Sequence, residues 1–152
     1  AQATTSGTSK DFTGIPSWVK RITVLFQGVS TNGTSVVQVR LGTSGGFVST
    51  GYSGSVTTAT GVNAGSYTKT ISTGFDAYYD QSASTIGTGQ YVISLISGNT
   101  WVASWSLGAN NEGRTWLGGG YVALSGTLTQ IRIAPTNGTD AFDAGSVNIF
   151  YE

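Results

Sequence analysis

The closing stretch of the chain, residues 128–152, alternates apolar and polar residues at a period of two, and this pattern constrains the fold most strongly. A period of two is typical of a half-buried β-strand, because successive side chains point to opposite faces. We predict two strands here, separated by an irregular link from Pro135 to Gly145, and we expect the last strand to pair inside a sheet. The shared faces hold Thr129, Ile131 and Ile133 in the first strand, and Val147, Ile149 and Tyr151 in the second.

Similar alternation recurs earlier in the chain, and no segment shows a helical period. Trp18–Val29 predicts a long strand that is apolar on both faces, which favours a central position or cover by another subunit. The Asn32-Gly33 pair that follows predicts a hairpin to a second strand, Ser35–Gly42, with Gln38 and Arg40 facing outward.

The second half of the chain predicts another hairpin. Tyr91–Ile96 and Trp101–Leu107 form its strands, and a turn at residues 97–99 joins them. The second of these strands has an aromatic and apolar face that is typical of a core. We interpret Phe75–Ser84 and the glycine-rich Gly108–Gly120 as loops, because alternation stops in both segments.

Composition indicates the same fold class. Only 9% of residues are charged, against about 25% in an average domain, and Gly, Ser and Thr are abundant where good helix formers are scarce. We therefore predict an all-β protein, an antiparallel β-sandwich with jelly-roll-like topology. We expect residues 1–10 to be a linker to a preceding region and residues 11–152 to be one domain.

Charge and residue inventory exclude several functions. The net charge is 0, which argues against a nucleic-acid partner, because phosphate binding requires a basic patch. No apolar run approaches the ~20 residues of a membrane helix, so we expect no membrane insertion. His and Cys are both absent, which removes the common catalytic triads, disulfides and most transition-metal sites. We expect no cofactor and no enzymatic activity.

Carboxylates are the remaining candidates for chemistry. Asp76, Asp80 and Glu112 could supply an acid/base pair for glycoside hydrolysis, although carboxylates in separate loops are a weak signal. Asp140 and Asp143 resemble a calcium loop but lack the EF-hand spacing, and the sequence leaves cation binding open. We favour a structural interpretation in which both aspartates bond to their own backbone while Phe142 enters the core, and we predict no metal site.

Two loop stretches combine aromatic rings with polar groups, as sugar-binding sites do. They are residues 75–80 and residues 110–116. In such a site an apolar sugar face stacks on a ring, while amide and charged groups bond to the hydroxyls. The alternative is that the rings pack on the sandwich edge or on a neighbouring subunit. The predicted ligand-binding residues are Tyr78, Tyr79, Asp80, Asn110, Asn111, Glu112, Arg114 and Trp116.

Three motifs carry a family resemblance. They are FTGIPSWVKRITVLFQGVSTNGTS (residues 12–35), LGTSGGFVSTGYSG (residues 41–54), and IRI followed by TNGTDAFDAGSVNIFYE (residues 131–152). Together they resemble the C-terminal domain of tailed-bacteriophage tail fibre and tail tip proteins. They cover about half of the chain, at both ends, and they are structural rather than catalytic.

The resemblance implies an extracellular virion domain in a phage tail that forms a homotrimer. It implies binding to a host-cell surface receptor, a glycan or else a surface protein, and contact with other tail or virion proteins through the N-terminal side. Two alternatives stay open. One is a purely structural role in trimerisation or capsid decoration, and the other is a polysaccharide depolymerase.

Overall fold

The fold is built from thirteen β-strands within the residues that the computed structural model describes, which are 1–61, 67–78 and 81–152. No helix occurs in these residues, so none could cross a membrane, and the all-β prediction is confirmed. The strands are β1 (Gln2–Ala3), β2 (Lys10–Thr13), β3 (Arg21–Thr31), β4 (Val37–Thr43), β5 (Gly46–Phe47), β6 (Ser53–Thr60), β7 (Tyr67–Ile71), β8 (Phe75–Asp76), β9 (Gly87–Ser97), β10 (Thr100–Ala109), β11 (Arg114–Ala123), β12 (Gln130–Pro135) and β13 (Phe142–Tyr151).

The strands form two antiparallel sheets. The larger has eight strands in the order β1-β13-β3-β9-β10-β11-β6-β7, and the smaller has the order β2-β12-β4-β5, with β8 also paired to β4. The predicted antiparallel sandwich is confirmed. The chain crosses between the sheets repeatedly, as a jelly roll does, but β9, β10 and β11 remain neighbours in one sheet as a meander.

One hydrophobic cluster fills the space between the sheets. Ile22, Val24 and Phe26 alternate along β3 and contribute one face of it to this cluster, and β3 is central, between β13 and β9. Their partners across the core include Val39 and Ile131 of the smaller sheet, both fully buried. Burial of such aliphatic side chains contributes about 1.5–3 kcal/mol each, which is the main stabilisation available to a chain without disulfides.

The Asn32-Gly33 turn joins two different sheets, so the hairpin prediction is wrong. β3 belongs to the larger sheet and β4 to the smaller one. The turn is instead bound to the β12–β13 link: Asn32 N donates to the carbonyl of Ala141 at 2.9 Å, and the Asn32 side-chain oxygen accepts from Ala141 N. Asp140 of the same link accepts a hydrogen bond from Ser35 N at 2.9 Å. These contacts come from residues more than 100 positions away, so local sequence does not reveal them.

The glycine-rich segment Gly108–Gly120 is mostly strand, so its interpretation as a loop is wrong. β10 continues to Ala109, and β11 begins at Arg114. Glycines occur in this strand because neighbours approach closely. A Cβ at Gly118 would overlap the Trp105 ring, and a Cβ at Gly120 would lie 2.7 Å from the carbonyl oxygen of Ser53 in β6.

The segment predicted as a loop from Phe75 to Ser84 begins as a short strand, and part of it enters the core. Phe75 and Asp76 pair with β4, where Gln38 is 2% exposed rather than facing outward as predicted. Gln38 donates to Asp76 at 2.6 Å and to Thr73 at 2.9 Å, and Lys69 forms an ion pair with Asp76 at 2.8 Å. This buried polar cluster explains how a glutamine is accommodated in the interior, since its amide is hydrogen-bonded.

Residues 1–10, which we expected to form a linker, contribute to both sheets. Gln2 and Ala3 pair with Val147 and Ser146 of β13, and Lys10 begins β2. Thr4 is fully buried. β13 is therefore inside the larger sheet, but at residues 148–151 its register pairs it with β3 alone.

The register of the larger sheet defines two ends of the sandwich. At one end, Val29 pairs with Gly87, and the β10–β11 turn (residues 110–113) closes the meander. We call this the loop end; it also holds the β3–β4 and β12–β13 links. At the other, Arg21 pairs with Ser94, and β13 finishes beside residues 21–23.

Candidate functional site

At the loop end, two of the three predicted stacking rings, Tyr78 and Trp116, lie in the core. Tyr78 is 2% exposed and Trp116 is 0% exposed. Their ring centroids are 4.9 Å apart at an interplanar angle of 69°, an edge-to-face packing. Burial also raises the pKa of the Tyr78 phenol above its ordinary value. Neither Tyr78 nor Trp116 is available to stack against a sugar in this structure.

Asn111 is exposed, but its side chain is bonded to a neighbouring segment of the loop end. Its side-chain oxygen accepts from Ile86 N at 3.1 Å, and its side-chain nitrogen donates to Ser84 O at 2.6 Å. Its neighbour Glu112 accepts a hydrogen bond from the hydroxyl of Thr85 at 3.1 Å. The β10–β11 turn is therefore bound to the segment before β9, and the side chains of Asn111 and Glu112 are already hydrogen-bonded.

The other predicted residues of the loop end have mixed placements. Glu112 and Arg114 form an ion pair, with 3.0 Å between Oε2 and Nε. The Asn110 side chain is exposed, and its backbone N donates to Ile86 O at 2.7 Å. Tyr79 and Asp80 lie outside the described residues. The structure thus brings the two predicted stretches together, but through core packing and local hydrogen bonds.

The carboxylates of the described residues all bond to side chains of this chain. Asp76 is 1% exposed and lies in the cluster with Gln38 and Lys69, whereas Glu112 bonds to a separate set of partners. No group of three or more potential metal ligands occurs in the part of the chain that the structure describes. The carboxylate pairs are Asp11–Arg132, Asp76–Lys69, Glu112–Arg114, Asp140–Asn137, Asp143–Ser30 and Glu152–Arg21.

Asp140, in the β12–β13 link, and Asp143, in β13, accept hydrogen bonds from other residues, not from their own backbone as we expected. Asp140 accepts from Ser35 N and, at 2.8 Å, from the Asn137 side chain. Asp143 accepts from the Ser30 hydroxyl. Phe142 is 1% exposed and enters the core, as predicted.

The opposite end of the sandwich carries exposed aromatic rings. Trp18 is 60% exposed, Phe150 is 59% exposed and Tyr151 is 42% exposed. Trp18 and Tyr151 pack edge to face, with centroids 5.8 Å apart and an interplanar angle of 62°. We call this the aromatic end. Large apolar side chains that cluster on a surface commonly mark an interaction site.

The aromatic end is held rigidly by backbone hydrogen bonds. The amides of Lys20 and Arg21 both donate to the carbonyl of Glu152 at 2.8 Å, and Glu152 N donates to Arg21 O at 2.9 Å. Tyr151 pairs with Ile22 in the β3–β13 ladder. Phe150 and Tyr151 are therefore attached to a strand end, and Trp18 lies in the turn before β3, where Val19 N donates to Pro16 O at 3.1 Å. This attachment favours a preformed surface.

Charged groups flank these rings. Arg21 and Glu152 form an ion pair at 3.1 Å, with side chains that are 52% and 74% exposed. These two residues line a shallow hollow together with Thr23, Phe150 and Tyr151. The arrangement combines apolar platforms with donors and acceptors, which is the chemistry that we expected at the loop end.

Sequence reasoning missed this site, although one signal was present. In the alternation of β13, Phe150 falls on the face opposite to Val147 and Ile149. Because adjacent strand residues point to opposite faces, Phe150 and Tyr151 cannot both enter one core. Trp18 carried no comparable signal.

No protein-family model matches the chain, and neither a curated protein nor a solved structure is significantly similar to it.

Proposed function

We propose that this chain is a receptor-binding domain of a phage tail fibre or tail tip, and that it binds a bacterial surface glycan through the aromatic end. The observation that carries the proposal is the exposed Trp18–Tyr151 ring pair, with the Arg21–Glu152 ion pair beside Tyr151. The motifs at residues 12–35 and 131–152 support the virion context by their resemblance to tail proteins. The aromatic end lies within these same two motifs.

The physical basis is the amphipathic character of sugars. A pyranose presents a face of C–H groups that stacks on a ring such as Trp18, while its hydroxyls bond to charged or amide groups. Arg21 and Glu152 together offer donors and acceptors on the same surface. Such a contact is weak in one protomer, and a homotrimer would multiply it through effective concentration.

The experiment is a bacterial glycan array, probed with the wild-type domain and with Trp18→Ala and Tyr151→Ala. We expect both variants to lose binding about tenfold or more, since truncating an exposed anchor ring typically costs about 1–2 kcal/mol or more. Tyr67→Ala is the matched control, because Tyr67 is 53% exposed but lies in β7, away from the aromatic end.

Two outcomes would contradict the proposal. One is glycan binding that Trp18→Ala and Tyr151→Ala leave unchanged while Tyr67→Ala abolishes it. The other is shortening of glycan chains during incubation, which would identify a depolymerase instead.

The outer face of the larger sheet supports a second role, in assembly. Val102 and Tyr121 pair across β10 and β11 and are 37% and 49% exposed, and Leu117 is 50% exposed. Depletion of charge around apolar groups is typical of the core of a subunit interface. The outward residues of β9, β10, β11 and β6 include no charged residue; they are Gln90, Val92, Ser94, Val102, Ser104, Ser106, Leu117, Gly119, Tyr121, Ser53, Ser55 and Thr57.

The assembly role has its own test. Sedimentation equilibrium should show a trimer for the wild type and a monomer for Leu117→Lys, because a buried unpaired charge opposes association. Thr13→Lys adds the same charge to an exposed position of the smaller sheet and should leave the trimer intact. A trimer that persists in Leu117→Lys would exclude this face as the interface, and a wild-type monomer would contradict the homotrimer itself.

A further inference from the structure

One side of β13 is an open sheet edge over its last residues. β3 pairs with the other side of β13 as far as Tyr151, but β1 covers the open side only at Ser146 and Val147. Beyond Val147, no strand of the described residues pairs with that side. An edge of this kind presents unpaired backbone groups and is a template for a further strand.

The hydrogen-bonding pattern identifies the unpaired groups. Directly opposed residues of an antiparallel pair alternate between hydrogen-bonded and non-hydrogen-bonded pairs. Arg21 and Glu152 form a hydrogen-bonded pair, since Arg21 N donates to Glu152 O at 2.8 Å and Glu152 N donates to Arg21 O at 2.9 Å. Alternation from this pair turns the backbone N–H and C=O groups of Tyr151 and Ile149 away from β3. The open edge therefore offers amide donors and carbonyl acceptors at these two residues.

The covered part of the edge has the same orientation. The carbonyl of Gly145, which precedes Val147 by two residues, accepts from Thr4 N at 2.9 Å on the side of β1. Val147 itself lies opposite Gln2. Every second residue of β13 thus faces this side, and the N-terminal segment already binds the first of them.

β1 leads directly to the uncovered part. Gln2 lies opposite Val147 and the two strands are antiparallel, so the same register places Ala1 opposite Asn148. Three residues before Ala1 would then lie opposite residues 149–151. A strand in line with β1 is therefore in register with both sets of unpaired backbone groups.

The same register argues against a second copy of the chain on this edge. A pairing of β13 with β13 of another copy that uses the free groups of both strands is centred on Phe150. It brings Glu152 of the second copy opposite Asn148, where the register of β1 places Ala1. The two would overlap, whereas a strand that continues β1 meets no such obstacle.

We propose that this edge binds the polypeptide that leads into Ala1 in a longer tail protein, as a three-residue continuation of β1. The residues opposite Ile149 and Tyr151 exchange backbone hydrogen bonds with them. The middle residue packs beside Phe150, which is 59% exposed, in a non-hydrogen-bonded pair, where opposed side chains are closest. Sheet edges recognise extended peptides by main-chain pairing of this kind. The inference rests on the proposed function, whose tail context supplies the preceding polypeptide.

The test adds three residues before Ala1 and measures amide hydrogen exchange by nuclear magnetic resonance. The probe is Thr-Val-Thr, which has high strand propensity. Exchange at the amides of Ile149 and Tyr151 should slow about tenfold or more relative to the unextended domain, because both amides become hydrogen-bonded. The amides of Asn148 and Phe150 face β3 and should exchange equally in both proteins.

Proline provides matched controls, because it has no N–H and is confined to strand positions that do not need one. Thr-Val-Pro places proline opposite Ile149, where its ring meets the Ile149 carbonyl, and should abolish the protection. Thr-Pro-Thr places proline opposite Phe150, where the missing N–H points away from β13, and should keep the protection.

Several outcomes would overturn the inference. They are unchanged exchange at Ile149 and Tyr151 with Thr-Val-Thr, and equal protection with Thr-Val-Pro and Thr-Val-Thr. Protection in the unextended domain that rises with protein concentration would show that a second copy occupies the edge. In the full-length tail protein, exchange followed by mass spectrometry should find residues 149–151 better protected than in the isolated domain, and equal protection would also overturn the inference.

The outcome is separable from that of the glycan array, which uses the unextended domain. If the extensions leave both amides unprotected while the array shows Trp18-dependent binding, the strand inference alone is wrong. If both amides are protected but the array shows no binding to any glycan, the proposed glycan binding alone is wrong.

Discussion

The two ends of the sandwich use the same residue types in opposite ways. At the loop end, aromatic rings are buried and polar side chains bond to neighbouring segments: Tyr78 packs on Trp116, and Asn111 bonds to residues 84 and 86. At the aromatic end, Trp18 and Tyr151 also contact each other, but both rings remain exposed. A ring beside polar groups in the sequence therefore does not by itself indicate a binding site.

The charged side chains of the two ends differ in exposure: those of Arg114 and Glu112 are 34% and 21% exposed, whereas those of Arg21 and Glu152 are 52% and 74% exposed. The two ends also differ in pairing. Glu112 is bonded to Thr85 and Arg114, whereas Lys20 has no ion-pair partner among the described residues. A polar group that is already hydrogen-bonded gains little from a ligand, because binding only exchanges one partner for another. The comparison predicts that changes at the loop end affect stability and that changes at the aromatic end affect binding.

The largest effect on stability should come from Trp116→Ala at the loop end, with Trp18→Ala at the aromatic end as its comparison. Trp116→Ala removes a fully buried ring and should lower the free energy of unfolding by about 3–5 kcal/mol. Trp18→Ala removes a ring that is 60% exposed and should lower it by less than about 1 kcal/mol. Urea denaturation followed by circular dichroism measures both.

Equal losses of stability in the two variants would remove the distinction between the ends. So would a folded Trp116→Ala domain that keeps wild-type stability but no longer binds glycan, since that result would return the site to the loop end.

The sequence predicted the alternating strands correctly because their pattern is local. The buried faces of β3 and β10 follow from a period of two, and the Ser97–Asn99 turn joins β9 to β10 as expected. The first part of β11, residues 114–120, was missed because its glycines are required by close contacts with Trp105 and β6. Backbone crowding of this kind leaves no periodic signal.

The candidate site was harder to predict than the fold. Whether a ring is buried depends on which strands cover it, and Trp116 is covered by Tyr78 from a segment that we interpreted as a loop. The hairpin prediction at Asn32-Gly33 was wrong for the same reason, because the hydrogen-bond partners of this turn lie in the distant β12–β13 link. Local signals identified the turn but not the sheet of the next strand.

A smaller loss of stability is expected for Asn111→Ala. The variant removes two side-chain hydrogen bonds to the backbone of residues 84 and 86, on a partly exposed surface, and should lower the free energy of unfolding by about 1–2 kcal/mol. Host-cell binding should stay unchanged when it is measured by pull-down at a temperature where the variant is folded. A loss of binding with no loss of stability would show that Asn111 contacts the receptor.

The loop end should also respond to acid. The Asn137 side chain, and then the Ser35 amide, lower the pKa of the Asp140 carboxyl below its ordinary value. A lowered pKa in the folded state means that ionised Asp140 stabilises the fold above its unfolded pKa of about 4, and that this contribution is lost as the pH falls through the folded pKa. The stability difference between the wild type and Asp140→Asn should therefore be larger at pH 7 than at pH 3 in urea titrations. Asn137→Ala should reduce that pH dependence, and a difference that is equal at both pH values would show that the hydrogen bonds do not favour the ionised form.

The smallest effect on stability should come from Arg21→Ala at the aromatic end. The Arg21–Glu152 pair is 3.1 Å long, but its side chains are 52% and 74% exposed, so the variant should change the free energy of unfolding by less than about 0.5 kcal/mol. Glycan binding should nevertheless fall severalfold, because Arg21 lines the hollow beside Phe150 and supplies donors that no buried contact consumes. Arg114→Ala at the loop end is the matched comparison. It should lower the free energy of unfolding more than Arg21→Ala does, and it should leave glycan binding unchanged. If Arg21→Ala destabilises the domain more than Arg114→Ala and leaves binding intact, the charges of the aromatic end are structural, and the contrast between the two ends reduces to their aromatic rings.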